Sequence, residues 1–193
     1  MSPQRVVLGI SGASGAAIGV RIAEFLHQCP EIETHLVVSP AAERTLAFEV
    51  GPEAIDHLER CVAKRHPCDD IGAEIASGSV PTVGMIVAPC SMRTLSSIAT
   101  GISDNLLIRA ADVHLKERRP LILVSRESPL HLGHLRAMVA VTEFGAIVAP
   151  PMPAFYLRPE QVSEVVDQIA LRTIEFLRLR NAPRAGSWSP YEN

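Results

Sequence analysis

The chain has 193 residues, 47% hydrophobic and 20% charged, and its 18 Lys+Arg against 21 Asp+Glu leave a formal net charge of −3. That size and balance describe one globular domain with a core that needs no cross-link, and they exclude a disordered chain and a strongly basic nucleic-acid binder. Aromatics at 4% leave no base-stacking platform, and no apolar run approaches the roughly 20 residues of a membrane span.

Residues 5–10 read as a short buried strand, 11–15 as a small-residue turn, and 17–27 as a helix with Ile18, Ile22, Phe25 and Leu26 on one side. A second strand is predicted at 33–38. Two helices follow at 41–50, with Gly51 as its C′ residue, and at 52–63. Residues 66–81 are polar and read as loop, with Ser77-Gly78-Ser79 inside it. The third strand is 84–88, closed by Pro89, and helices are predicted at 92–100 and 105–117. A fourth strand at 121–124, a helix at 131–144 stopped by Gly145, and a fifth strand at 146–149 come next. A Pro-rich loop at 150–159 leads to a final helix at 160–178. Residues 1–180 thus form the domain, and 181–193 a C-terminal arm. The apolar N-terminal strand leaves no signal-peptide pattern. Cys29, Cys61, Cys68 and Cys90 form no C-x-x-C pair, and a buried, reduced Cys90 fits a cytoplasmic location.

Apolar strands alternating with helices argue a doubly wound α/β fold with a parallel sheet, and ligands in such folds sit beyond the carboxyl ends of the strands. After the first strand, GISGASGA at 9–16 lets backbone approach a phosphate or flavin. It is neither G-x-G-x-x-G nor a Walker A loop, and the second strand ends at Ser39 rather than at the acid of an NAD ribose site. A tight turn without a ligand remains an alternative. Ser91 and Thr94 open the helix after the third strand, as an N-cap or as ligands to a phosphate.

Arg109, Asp112 and Lys116 share a helix face, either as a surface network or as a phosphate clamp. Arg126-Glu127 after the fourth strand is a catalytic pair or a salt bridge. Arg172 falls on the stripe Val165, Ile169, Phe176, which is expected to face inward, so it must meet an anion or snorkel out. Glu49 lies in the last turn of its helix, where the macrodipole disfavours negative charge. If buried there its pKa should rise, as suits a proton donor; if exposed it is a surface acid. His131 and His134, at i and i+3, are too few for a metal site.

Together GISGASGA at 9–16, PCSxxTLS at 89–96, RAADVxLKERRPL at 109–121, RExPLH at 126–131 and PPMPAFY at 150–156 closely resemble the flavin prenyltransferases of the UbiX/Pad type, from about residue 5 to residue 178. The resemblance implies a Rossmann, flavodoxin-like fold and a homododecamer with sites where protomers meet. It implies metal-independent transfer of a dimethylallyl group from dimethylallyl monophosphate to N5 and C6 of reduced FMN. The prenylated FMN would serve a UbiD-type decarboxylase of ubiquinone or aromatic-acid metabolism. By position, Gly12, Ala13, Ser14, Ser39, Ser91, Met92, Arg93, Thr94 and Arg126 match the FMN site. Lys116, Arg126, Tyr156 and Arg172 match groups around the prenyl phosphate, with Arg109 as a helper, and Ser14, Glu49 and Glu127 match the catalytic set. Ile71 stands where some relatives carry Trp, Ser125 where some carry Pro, and Trp188 follows Ser187 rather than Arg. The rival readings are an FMN-dependent cysteine decarboxylase and a non-catalytic FMN-binding subunit. The first lacks its P-x-M-N-x-x-M-W type motif here, and intact Glu49, Glu127, Lys116 and Arg172 argue against the second.

Overall fold

A computed structural model describes residues 3–188. Among these, the strands are β1 (Gln4–Ile10), β2 (Ile32–Val38), β3 (Lys64–His66), β4 (Gly84–Cys90), β5 (Leu121–Ser125) and β6 (Ile147–Val148). They form one sheet in the order β3-β2-β1-β4-β5-β6, and every pairing is parallel. The helices are α1 (Ala16–His27), α2 (Pro40–Glu49), α3 (Ala54–Cys61), α4 (Met92–Thr100), α5 (Leu106–Lys116), α6 (Leu132–Glu143) and α7 (Val162–Glu175).

The period-2 pleat sorts β1 between two cores. Val6, Leu8 and Ile10 pack with α1, α2, α3 and α7, whereas Val7 joins Met85 and Val87 against α4, α5 and α6. Both faces are therefore covered, as a parallel sheet requires. Arg21 on α1 reaches Asp167 on α7 through two hydrogen bonds, Nε–Oδ1 at 2.6 Å and Nη2–Oδ2 at 3.1 Å. This fork fixes the helix pair but, being one-third exposed, adds little stability.

The sheet has one more strand than the five expected. Lys64–His66 pairs with β2 at the junction between the predicted helix, which ends at 63, and the predicted loop, which begins at 66. Its sequence, Lys-Arg-His, carries no apolar pattern, so only pairing on the β2 edge reveals it. The predicted stops hold: Gly51 and Gly145 follow α2 and α6 with φ of +139° and +105°, values that glycine adopts without cost. The last helix begins at Val162, and its core-facing residues are Ala170, Thr173 and Ile174. Arg172 is not on the inward face. Its guanidinium lies 4.8 Å from the Phe176 ring centroid and donates to Glu175 at 2.7 Å, with the side chain 61% exposed. Of the arm, Gly186 exchanges two hydrogen bonds with Gln168 on α7, and residues 189–193 lie outside those described.

Candidate active site

The chain leaves β1 towards β2 and β3 on one side, and continues through β4 to β5 and β6 on the other. The crevice outside the β1 and β4 carboxyl ends is thus the topological switch point. A cleft of about 610 Å³ opens there, within the range of small-molecule sites. Gly12, Ser39, Ser91, Arg93 and Thr94 from the sequence reading line it, joined by Arg44, Cys68, Asp69, Asp104, Asn105 and Leu107.

Ser39 and Ser91 cap α2 and α4, accepting from the backbone N–H groups of Ala42 at 3.2 Å and Thr94 at 3.3 Å. Two helix N-termini therefore open on one cleft, where free N–H groups and aligned dipoles favour an anion. Thr94 is buried and receives the Ser91 hydroxyl proton at 3.1 Å. Arg93 pairs with Asp104 at 2.9 Å. Arg44 takes no ion-pair partner among the described residues, so it is the cleft's uncommitted cation. Sequence reading missed it because nothing in AAERTLAF marks the side of α2 that meets the cleft.

Buried Ser11 builds the floor. Its N–H and hydroxyl both donate to the Pro89 carbonyl, at 3.1 and 2.9 Å, and its oxygen accepts from Ser91 N–H at 2.7 Å. The first turn is thereby tied to the start of α4. Gly12 answers a different demand from the one expected. A Cβ there would overlap the Ala41 side chain, so the missing side chain lets the turn pack on α2. Ala13 is buried, and its N–H is already taken by the Ser11 carbonyl at 2.9 Å. Met92 packs its side chain into the core beneath α4, which leaves only its backbone to a ligand.

Ser14, Glu49 and Arg126 meet at the N-terminus of α1. Glu49 Oε2 accepts from the N–H groups of Gly15 and Ala16, each at 2.9 Å. Partial burial pushes its pKa up, but hydrogen bonds from Ser14, Ala16 and Gly15 and the nearby Arg126 charge outweigh this and hold it below the usual carboxylate range. Glu49 is thus neither the buried, raised acid nor an unengaged surface acid. It ends α2 yet caps α1. Glu127 is exposed and accepts from Ser128 N–H at 3.1 Å; no Arg126–Glu127 ion pair forms among the described residues.

The remaining candidates lie elsewhere on the protomer. Tyr156 and Arg172 line a separate cleft of about 380 Å³ beside β6, with no lining residue in common with the first. Arg109 donates to Asp112 at 2.7 Å. Lys116 ends α5 and pairs with Glu117. Since Asn105 caps α5 at the switch-point cleft, its eleven residues carry Lys116 roughly 16 Å away, towards the other end of the sheet.

The His131 and His134 ring centroids lie 3.6 Å apart with the rings tilted by 32°, and His131 Nδ1 accepts from Gly133 N–H. All four cysteines are free, and burial pushes the Cys90 thiol up to about 12. No helix among the described residues is long and apolar enough to cross a membrane.

A family model described as Flavoprotein matches residues 1–173. The chain is 49% identical to the flavin prenyltransferase UbiX of Escherichia coli K12 over 172 residues, covering 89% of this chain and 90% of that protein. Among solved structures it is similar to AnUbiX in complex with FMN and dimethylallyl pyrophosphate, at 39% identity and TM-score 0.89 over 97% of this chain and all of the other. It is similar also to a dodecameric FMN-dependent UbiX-like decarboxylase from E. coli O157:H7, at 42% identity and TM-score 0.92 over 96% and 100%. With a parallel six-stranded sheet of this topology and such identity along nearly its whole length, the chain belongs to the UbiX-type flavin prenyltransferases of the flavoprotein family.

Proposed function

We propose that this chain transfers a dimethylallyl group from dimethylallyl monophosphate to N5 and C6 of reduced FMN, and that the residues gathered above divide the work. The observation that carries this is the switch-point cleft with two serine-capped helix N-termini, Arg44, and no acid at the end of β2. Those groups suit the phosphate of a mononucleotide. A dinucleotide would lack its ribose acid. Reduced FMN supplies the nucleophile.

Ser39, Ser91 and Thr94, with Arg44 and Arg93, hold the flavin phosphate side, and Gly12, Ala13 and Ser14 supply backbone beside the ring. Ser14, Glu49 and Arg126 form a charged, hydrogen-bonded set at α1 that orients groups near the reacting face. Glu127, exposed at the end of β5, moves the protons that N5 alkylation and C6 rearomatisation release. Lys116, Arg172, Tyr156 and, as a helper, Arg109 stabilise the departing phosphate by charge-assisted hydrogen bonds.

Because Lys116 and the Tyr156–Arg172 cleft stand apart from the flavin cleft within one protomer, the reading needs several copies of the chain to build one site. A homododecamer with shared sites satisfies this. Phe48, Met152, Phe155 and Val162, each more than 70% exposed, supply apolar surface for such contacts. The product would pass to a UbiD-type decarboxylase in the cytoplasm. Anaerobic incubation with reduced FMN and dimethylallyl monophosphate, followed by flavin mass analysis, should give a gain of one C5 unit per flavin. Unchanged FMN mass with both ligands bound would refute the activity. Light scattering that finds a fully active monomer would refute the shared site.

A further inference from the structure

The turn at 77–80 and the end of α5 are joined by a network that the site as described does not use. Arg119 sits just beyond α5. Its Nη2 donates to the Gly78 carbonyl at 2.7 Å, and its Nη1 to the Val80 carbonyl at 2.8 Å and to Thr82 Oγ1 at 3.0 Å. Thr82 Oγ1 meets His114 Nε2 at 2.9 Å, and His114 Nδ1 meets the Ala110 carbonyl at 2.7 Å. Donor bookkeeping gives this chain one polarity. A carbonyl only accepts, so His114 Nδ1 carries the proton; neutral Nε2 then accepts from the Thr82 hydroxyl, whose oxygen accepts from Arg119. Fully buried His114 has its pKa lowered to about 4, which keeps it neutral in this role. One planar guanidinium just beyond α5 thus holds two carbonyls of the turn and the Thr82 hydroxyl that follows it, a geometry that a lysine cannot reproduce.

What the turn lies beside is the head-group pair of Glu117 and Lys116. A Cβ built on Gly78 would clash with the Glu117 carboxylate and lie 2.6 Å from Lys116 Nζ. The φ of Gly78 is not in the left-handed region, so its backbone would accept alanine. The space a side chain would need is held by the Glu117 and Lys116 head groups, which would have to move. The lysine side chain, 46% exposed on a flexible stem, is bounded by this turn on one side and paired with Glu117, with ammonium protons left for a ligand.

We propose that Gly78 and Arg119 are positioning residues for the prenyl phosphate: Arg119 holds the 77–80 turn in place, and Gly78 leaves the space that fixes the Lys116 ammonium. This rests on the reading that Lys116 contacts the prenyl phosphate. Holding the cation in advance lowers the ordering cost when the phosphate arrives.

The test uses the assembled protein and steady-state kinetics with dimethylallyl monophosphate. Gly78→Ala displaces only the far ends of flexible side chains, so the chain should fold. It should raise KM about tenfold, the scale of one charge-assisted hydrogen bond, with kcat within about twofold and FMN affinity unchanged. Arg119→Met should do the same and Arg119→Lys should restore little. Gly78→Ala added to Lys116→Ala should have no further effect, since both act on one group. A wild-type KM for Lys116→Ala overturns the reading of Lys116 itself. A raised KM there, with a wild-type KM in Gly78→Ala, overturns the positioning role alone. Gly78→Ala carries the decision if Arg119→Met does not assemble.

Discussion

Glu49 and Ala16 stand 33 positions apart, yet the Glu49 carboxylate accepts the Ala16 backbone N–H at 2.9 Å and so caps a helix to which it does not belong. The N-cap of α1 is Gly15, at φ 103°, which has no side chain to serve its own helix. The carboxylate from the end of α2 takes that place, beside the positive end of the α1 dipole.

Glu49→Gln keeps the shape and removes the charge. We expect a loss of roughly 0.5–1 kcal/mol at neutral pH, from charge–dipole attraction, read as a thermal midpoint lower by a few degrees. The folded pKa lies below the unfolded one, so the stabilisation is present above about 4.5 and is lost as pH falls through the lowered folded value. Melts of both proteins should therefore converge under acid conditions. Equal midpoints at neutral pH would show that the cap carries no charge-dependent stability.

Glu127 and Arg172 should separate in their effects. Arg172→Ala should weaken dimethylallyl monophosphate binding while FMN binds normally, because Arg172 lines the cleft beside Tyr156 and not the switch-point cleft. Glu127→Gln should bind both ligands and lose turnover by about 10²-fold or more, the scale of general acid–base catalysis. Anaerobic single turnover with flavin mass analysis should find unreacted flavin or an adduct at N5 without ring closure. Four-ring product at the wild-type rate would remove the proton-transfer role from Glu127.

Histidines should dominate the pH dependence of stability just below neutrality. Burial, with the Arg5 and His66 charges opposing Glu74 and Glu33, lowers His35 to about 4; burial and Arg119 lower His114 to about 4. His66, 2.9 Å from His35, is lowered too, chiefly by burial and Lys64, against Glu74 and Asp70. The unfolded chain takes up protons near 6.5 and the folded one does not, so stability falls as pH drops from 6.5 towards 4. Below about 4.5 the lowered carboxylates Glu24, Glu49 and Glu74 add to the fall. His114→Asn should lower the midpoint overall and flatten its slope between pH 6.5 and 4. An unchanged slope would mean that His114 titrates normally.

Ser125, at the end of β5 opposite Cys90, buries a hydroxyl oxygen with no hydrogen-bond partner. An unmet buried polar atom is a cost. Ser125→Ala should leave the apoprotein as stable or up to about 1 kcal/mol more stable, by chemical denaturation. A loss above that size would show that the hydroxyl is satisfied.

The repeating strand–helix pattern, with apolar runs such as LILV and GMIVA, determined a parallel sheet covered on both faces, because only burial on both sides accommodates such runs. Ser91 was legible as a helix opener, and Gly51 and Gly145 as stops, since caps act over three or four residues; Ser39 was legible only as the end of a strand, and the structure shows it capping α2. The motifs at 9–16, 89–96, 109–121, 126–131 and 150–156 determined the family. Tertiary structure decided what depends on partners distant in sequence. Lys64–His66 is a strand only because the β2 edge offers hydrogen bonds. Glu49 changes from an ill-placed acid into a cap because α1 begins beside the end of α2. Arg172 turns outward because a cation on a helix flank is better solvated over Phe176 than beneath it. Gly12 and Gly78 are glycines for the sake of Ala41 and of Lys116 with Glu117, neighbours that periodicity cannot name because it records spacing along one element and not what the next one brings against it.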